Sequence, residues 1–304
     1  MTRHGQLLVM TRRWQAVAAA ALCACLAWAG QASAQAPAGS VAVQVPSLDR
    51  TAGTAVVLPG HWFAAPGTAA APAMVLLHGC GGYLDGRGRL AARYTDLAAR
   101  LNALGVHVLV TDSFTPRGER EICTQNTGQR RITQLQRRRD ALGALQWLSL
   151  QPGVDASRLG LLGWSNGGST VLAATNLQHH EVAAAPLRPS LAVAFYPGCE
   201  AERDRGYAPS SPLLMLLGEA DDWTPAGPCK AMAAAVRQGP APVWESYPGA
   251  YHGFDGSAPV RLRADVPNGV NPGQGMHVGA NPVARDAAAL KLASFIRDTW
   301  RLNP

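Results

Sequence analysis

Eight short apolar runs, at Val41–Val45, Thr54–Leu58, Met74–Leu77, Val106–Thr111, Leu159–Gly163, Leu191–Tyr196, Leu213–Leu217 and Val243–Tyr247, punctuate the chain, and from Met74 onward they alternate with amphipathic stretches of helical period. Runs that are apolar throughout must be buried on both faces, which is the condition of a central parallel strand with helices above and below it. The pattern predicts one α/β domain with a mostly parallel eight-stranded sheet and helices between the later six strands. Leu90, Tyr94, Leu97, Leu101 and Leu104 recur at spacings of three and four and stop at Gly105, marking one surface helix. Ile132, Leu135, Leu142, Leu145 and Leu148 mark a second, ended by Pro152-Gly153, and Leu290, Ala293, Ile296 and Trp300 give one side of a last helix over Ala284 to Trp300. The gaps between strands leave room for little or no cap. Gly256 to Pro282, rich in Gly, Pro and Asn, fits no regular element.

The first 34 residues read as an export signal: Arg12-Arg13, an apolar run from Ala16 to Trp28, and Ala32-Ser33-Ala34 before Gln35. That run is too short to span a bilayer. Met10-Thr11-Arg12 repeats the pattern of Met1-Thr2-Arg3, so either methionine can start the leader. Cleavage after Ala34 leaves residues 35–304 as a catalytic domain in the periplasm or outside the cell, with no membrane attachment. A lipoprotein cleavage at Cys25 competes, but the residue before Ala24 is wrong for it.

Composition narrows the function classes. With 47% hydrophobic and 15% charged residues the chain is too apolar for disorder. Its formal charge falls from +7 to +4 once Arg3, Arg12 and Arg13 leave with the leader, which calls for no nucleic acid. The basic run Arg130-Arg131 and Arg137-Arg138-Arg139 reads as a solvated helix face rather than an anion patch. No metal-ligand spacing is present, His179-His180 stands alone, and no cofactor motif appears. Four cysteines remain after the leader, at 80, 123, 199 and 229, an even number that suits two disulfides in any of three pairings.

Chemistry concentrates after the strands. Gly163-Trp164-Ser165-Asn166-Gly167-Gly168 follows the run Leu159–Leu162 and precedes a helical stretch. This is G-x-S-x-G in the context a nucleophilic serine requires: a tight strand-to-helix turn that projects Oγ beyond the sheet, with glycines where a Cβ would collide. The reading that competes is a glycine-rich connection. A serine hydroxyl needs a base and an orienting acid, and in this arrangement both come later in the chain. Asp221 follows Leu213–Leu217, and His252 follows Val243–Tyr247. His252 would take the Ser165 proton and return it to the leaving group, while Asp221 fixes its tautomer. Asp222 is the fallback acid, Asp255 and His277 are distant alternatives, and Asp221-Asp222 also fits a helix cap. His78-Gly79-Cys80-Gly81-Gly82 can aim backbone N–H groups at an oxyanion, so Cys80 and Asn166 are the candidate donors. The thiol of Cys80 as the nucleophile is the rival, weaker reading.

Four pieces, His78-Gly79-Cys80-Gly81-Gly82, Gly163-Trp164-Ser165-Asn166-Gly167-Gly168, Gly218-x-x-Asp221-x-x-x-Pro225 and Tyr251-His252-Gly253-Phe254, resemble the α/β-hydrolase superfamily, and within it the dienelactone-hydrolase-like proteins, over nearly the whole of residues 35–304. The resemblance implies an α/β-hydrolase fold and a hydrolase acting on a small ester or lactone through an acyl-enzyme. Dienelactone hydrolases proper carry a cysteine nucleophile and are typically cytoplasmic, whereas this chain has Ser165 at the elbow and a leader. The family's strand order also implies the pairings Cys80–Cys123 and Cys199–Cys229. Phe114, Arg117, Arg120, Trp164, Tyr196 and Trp223 fall near the pocket rim, where an arginine would hold a substrate carboxylate; ordinary exposure and packing is the simpler account. Two other functions compete: a peptidase resembling the prolyl oligopeptidase catalytic domain, which lacks its N-terminal region here, and a non-catalytic binder on a hydrolase scaffold.

Overall fold

The computed structural model describes residues 37–67 and 70–302, so the leader reading lies outside the described residues. Two long antiparallel strands, β1 (Val41–Thr51) and β2 (Thr54–Phe63), open the sheet. Then come β3 (Ala71–Leu77), β4 (His107–Thr111), β5 (Val154–Trp164), β6 (Leu191–Phe195), β7 (Leu213–Gly218) and β8 (Val243–Tyr247), in the spatial order β1-β2-β4-β3-β5-β6-β7-β8. From β4 to β8 every pairing is parallel. The central strands β3, β4, β6 and β7 are buried almost throughout, as continuously apolar runs require. β1 and β2 alternate buried and exposed residues, as expected where one face meets water.

Helices α1 (Ala92–Ala103) and α7 (Pro282–Trp300) cover one face of the sheet, where Tyr94, Leu101, Ile296 and Trp300 meet Met74, Leu76, Leu162 and Val193. Helices α2 (Gln134–Ser149), α3 (Asn166–Thr175) and α6 (Ala226–Ala235) cover the other, where Leu145, Leu148, Val171 and Met232 meet Val75, Leu161 and Met215. The short helices α4 (His180–Ala183) and α5 (Glu200–Arg205) complete the crossovers. A Thr133 and Gln136 capping box starts α2, and the Asn281 side chain caps α7.

Two helix faces differ from the sequence expectation. In α7 the buried stripe is Ala284, Ala288, Leu292, Ile296 and Trp300, while Leu290 is exposed, because small alanines let the helix approach the sheet closely. In α2 the basic run is not a solvated face. Arg137 and Arg138 are buried, Arg138 and Arg139 share Glu181, and Arg139 also reaches Asp49. β1 packs along α2 here and supplies Asp49, while α4 supplies Glu181, a partnership between distant segments that helical periodicity cannot register. The Gly256–Pro282 stretch forms a two-stranded ribbon, β9 (Arg261–Arg263) with β10 (Met276–Val278), anchored by buried Val266 and Met276.

The cysteines form two disulfides, Cys80–Cys123 with S–S 2.08 Å and Cys199–Cys229 with S–S 1.98 Å. The first ties the loop after β3 to the segment after β4. Replacing both Cys80 and Cys123 by serine frees a loop of 43 residues in the unfolded chain. The loss should be about 2–4 kcal/mol, read as a lowered midpoint in urea titration. An unchanged midpoint would show that the loop is held by other contacts alone.

Candidate active site

Four loops follow the carboxyl ends of β3, β5, β7 and β8. Ser165 follows β5 directly and precedes α3, at φ 53° and ψ −119°. A non-glycine residue at positive φ is strained by order 1–3 kcal/mol and persists only where its surroundings hold it. Here they do: the Ser165 N–H donates to Phe195 O at 2.9 Å, and its carbonyl accepts from Ser169 N at 2.8 Å. The turn is tight enough that a Cβ on Gly163 would overlap the Gly167 carbonyl, and one on Gly167 would overlap that of Leu77.

Asp221 and His252 come together by side chain. The Asp221 carboxylate is held by the backbone N–H groups of Trp223 and Thr224, both donating to Oδ1 at 2.9 Å. Its Oδ2 lies 2.8 Å from His252 Nδ1, which fixes the tautomer with Nε2 free to accept a proton. Thr224 Oγ1 donates to the Tyr196 carbonyl at 2.9 Å and lies 3.1 Å from both Asp221 Oδ2 and His252 Nδ1. The imidazole is gripped between the rings of Tyr196 and Trp223, with centroids 4.7 and 4.5 Å away. Ser165 Oγ and His252 Nε2 make no hydrogen bond to each other in this structure. Both residues are buried, Ser165 at 9% and His252 at 3% exposure.

The backbone N–H groups of Cys80 and Asn166 have no hydrogen-bond partner among the described residues. Asn166 is the first residue of α3, where the N–H groups of a helix point outward and favour negative charge. The Cys80 carbonyl accepts from Ile122 N at 2.8 Å, so the loop and the segment behind it are joined by backbone as well as by disulfide.

The other candidates are engaged elsewhere. Asp222 accepts from His277, at 2.8 Å from its N–H and 2.7 Å from Nδ1, and so is turned away from His252. Asp255 bonds Trp164 and Tyr196. Arg117 is consumed by Asp49, Asp140 and the Ser113 carbonyl and is not a free carboxylate clamp. Arg120 is exposed, Phe114, Trp164 and Tyr196 are core residues, and only Trp223 lies partly open.

Two residues that the sequence placed only in a basic run and a glycine-rich motif lie buried beneath the site. Arg137 donates to Asn166 Oδ1 at 2.6 Å and lies 5.1 Å from the Phe114 ring centroid, while its Nε and Nη2 have no partner among the described residues. Burial pushes this guanidinium down to about 10, still charged at neutral pH. His78 is fully buried: its Nδ1–H donates to Gly79 O at 2.8 Å and its Nε2 accepts from Ser113 N at 3.1 Å. An acceptor at Nε2 requires the neutral ring, and burial, with the Arg137 charge nearby, holds the pKa well below 6.5. The unfolded chain therefore binds a proton at His78 that the native one refuses. Stability from this group is intact above the unfolded value of about 6.5 and falls as pH drops below it. Urea midpoints across pH 7 to 5 should decline less steeply in His78→Asn than in the wild type; equal slopes would remove His78 from the account.

A family model described as the dienelactone hydrolase family matches residues 61–295. The chain belongs to the dienelactone hydrolase family. That span contains all four motif loops and excludes only β1, most of β2 and the chain ends. Among solved structures, Thermogutta terrifontis esterase 2 phosphorylated by paraoxon matches with a TM-score of 0.59 at 17% identity, over 88% of this chain and 96% of that one. A putative dienelactone hydrolase from Klebsiella pneumoniae matches with a TM-score of 0.60 at 16% identity, over 84% and 98%. A puromycin-hydrolyzing peptidase of Mycobacterium tuberculosis matches at 0.53 and 18% identity, over 71% of this chain and 37% of that one. At such identities these likenesses speak to the fold. No protein with a curated description matches this dienelactone hydrolase family member in sequence.

Proposed function

We propose that this family member is an exported serine esterase that cleaves small carboxylic esters or lactones through an acyl-enzyme on Ser165. The observation that carries the reading is the 2.8 Å pair of Asp221 Oδ2 and His252 Nδ1, whose imidazole packs on Tyr196, the residue after the Phe195 carbonyl that holds the strained turn at Ser165. In this mechanism His252 Nε2 takes the Ser165 proton as Oγ attacks the ester carbonyl, and the N–H groups of Cys80 and Asn166 receive the oxyanion. His252 then protonates the leaving alkoxide, and water repeats the sequence to release the acid. The route requires Oγ and Nε2 to close to hydrogen-bond distance when substrate binds, as catalytic contacts commonly do.

Two disulfides support a location outside the reducing cytoplasm, and no described helix is long and apolar enough to cross a membrane. Family membership favours a small ester over a peptide. A fluorophosphonate probe should label wild-type protein at Ser165, and a panel of p-nitrophenyl esters, lactones and peptides should show fastest turnover on short acyl esters. Labelling confined to another residue, or cleavage of peptides alone, would overturn the proposal.

A further inference from the structure

Asp255 stands three residues after His252, and the proposed reaction gives it no task. It is nonetheless fully engaged. Oδ2 accepts from the Trp164 indole N–H at 2.8 Å, Oδ1 accepts from the Tyr196 hydroxyl at 2.6 Å, and Arg93 Nη2 lies 3.3 Å from Oδ1. Arg93 closes the group by donating to the Tyr196 hydroxyl at 2.8 Å and by placing its guanidinium carbon 5.6 Å from the Trp164 ring centroid. Burial holds the Tyr196 phenol well above its usual pKa, so it remains a neutral donor to the carboxylate.

Each partner is one step from the candidate triad. Trp164 is the residue before Ser165. Tyr196 follows Phe195, whose carbonyl takes the Ser165 N–H, and the Tyr196 ring packs against the His252 imidazole. Tyr196 itself sits at φ 36°, a conformation that side-chain-bearing residues adopt only when held. Its N–H donates to Leu216 O at 2.8 Å, its carbonyl accepts from Thr224, and its hydroxyl is held by Asp255 and Arg93. The platform beneath the histidine and the turn that carries the serine are thus tied to one carboxylate. A carboxylate accepts in both directions at once; an amide would turn an N–H₂ toward a donor.

We propose that Asp255 is a positioning residue that aligns the turn carrying Ser165 with the platform under His252 by clamping Trp164 and Tyr196 together. The inference rests on the Ser165 and His252 reading above. Misplacement of reacting groups by about 1 Å costs about 100-fold in rate, so loss of the clamp acts on turnover more than on substrate affinity.

The test compares wild type, Asp255→Asn and Tyr196→Phe by steady-state kinetics on p-nitrophenyl acetate, fluorophosphonate labelling rate and ¹⁵N-histidine NMR. In folded variants kcat should fall about 10- to 100-fold while KM stays within about twofold, labelling should slow in parallel, and the His252 resonances should shift. Folded variants that turn over at the wild-type rate overturn the proposal, whether or not the resonances move. If Asp255→Asn does not fold, Tyr196→Phe, which keeps the ring and removes only the hydroxyl, decides by the same measurements. If the wild type takes no label at Ser165, the esterase reading fails. The imidazole resonances then decide alone: shifted in the variants, the clamp stands; unshifted, it does not.

Discussion

Ser165→Ala is expected to lower turnover of an activated ester by about 10⁴- to 10⁶-fold while leaving the fold intact. The side chain makes no hydrogen bond through Oγ to His252, and the strain at φ 53° belongs to the backbone, which alanine shares. Thermal midpoints should therefore agree within about 2 °C. His252→Ala is expected to cost nearly as much, since nucleophile and base act as a unit. The double variant should be no slower than the worse single one. Measured kcat for the three proteins checks this, with fluorophosphonate labelling as a second readout. Independent, multiplying losses would mean that the two residues do not share a step, and a Ser165→Ala protein with more than about a tenth of wild-type activity would place the nucleophile elsewhere.

Gly167→Ala is the second large effect, and it falls on the fold itself. A Cβ at this position would overlap the Leu77 carbonyl and lie 2.6 Å from that of His78. Neither is the end of a flexible side chain. Both are backbone at the end of β3, which is paired on both sides, with β4 and with β5. Relief requires moving α3 away from the sheet or displacing the loop that carries Cys80. Either change opens the core around Val171 and Val75 and separates the two candidate oxyanion donors. We expect a loss of about 3–5 kcal/mol in urea titration, together with esterase activity reduced in the fraction that stays folded. Gly81, which has open space around its Cβ position, is the control, and Gly81→Ala should change the urea midpoint little. Equal stability of the two variants would refute the account of why glycine follows the serine by two.

Much of the fold was legible because burial on both faces leaves a simple mark. The apolar runs located all eight strands of the main sheet, overrunning β4 and β6 by one residue and otherwise exact or short by one to six at an end where the strand continued, as at Pro46–Thr51 and Val154–Arg158. Helix stripes were less secure, since an alanine-rich face such as that of α7 packs closely without large side chains to announce it. The basic run on α2 was misread for a different reason. A run of arginines looks solvated from within its own helix, and only the approach of Asp49 on β1 and Glu181 on α4 turns it inward.

By itself the sequence determined the sheet, the order of the motif loops, and the residue types able to act as nucleophile, acid and base, because those depend on local pattern and on position after a strand. Only the tertiary structure decided which acid faces which histidine. Asp221 and Asp222 are adjacent in sequence, yet they bond His252 and His277 respectively. It also decided that Arg117 is spent on Asp49 and Asp140, and that Asp255 joins Trp164 to Tyr196. Hydrogen-bond partners are set by distances between segments tens of residues apart, and no periodicity within a segment encodes where another will lie.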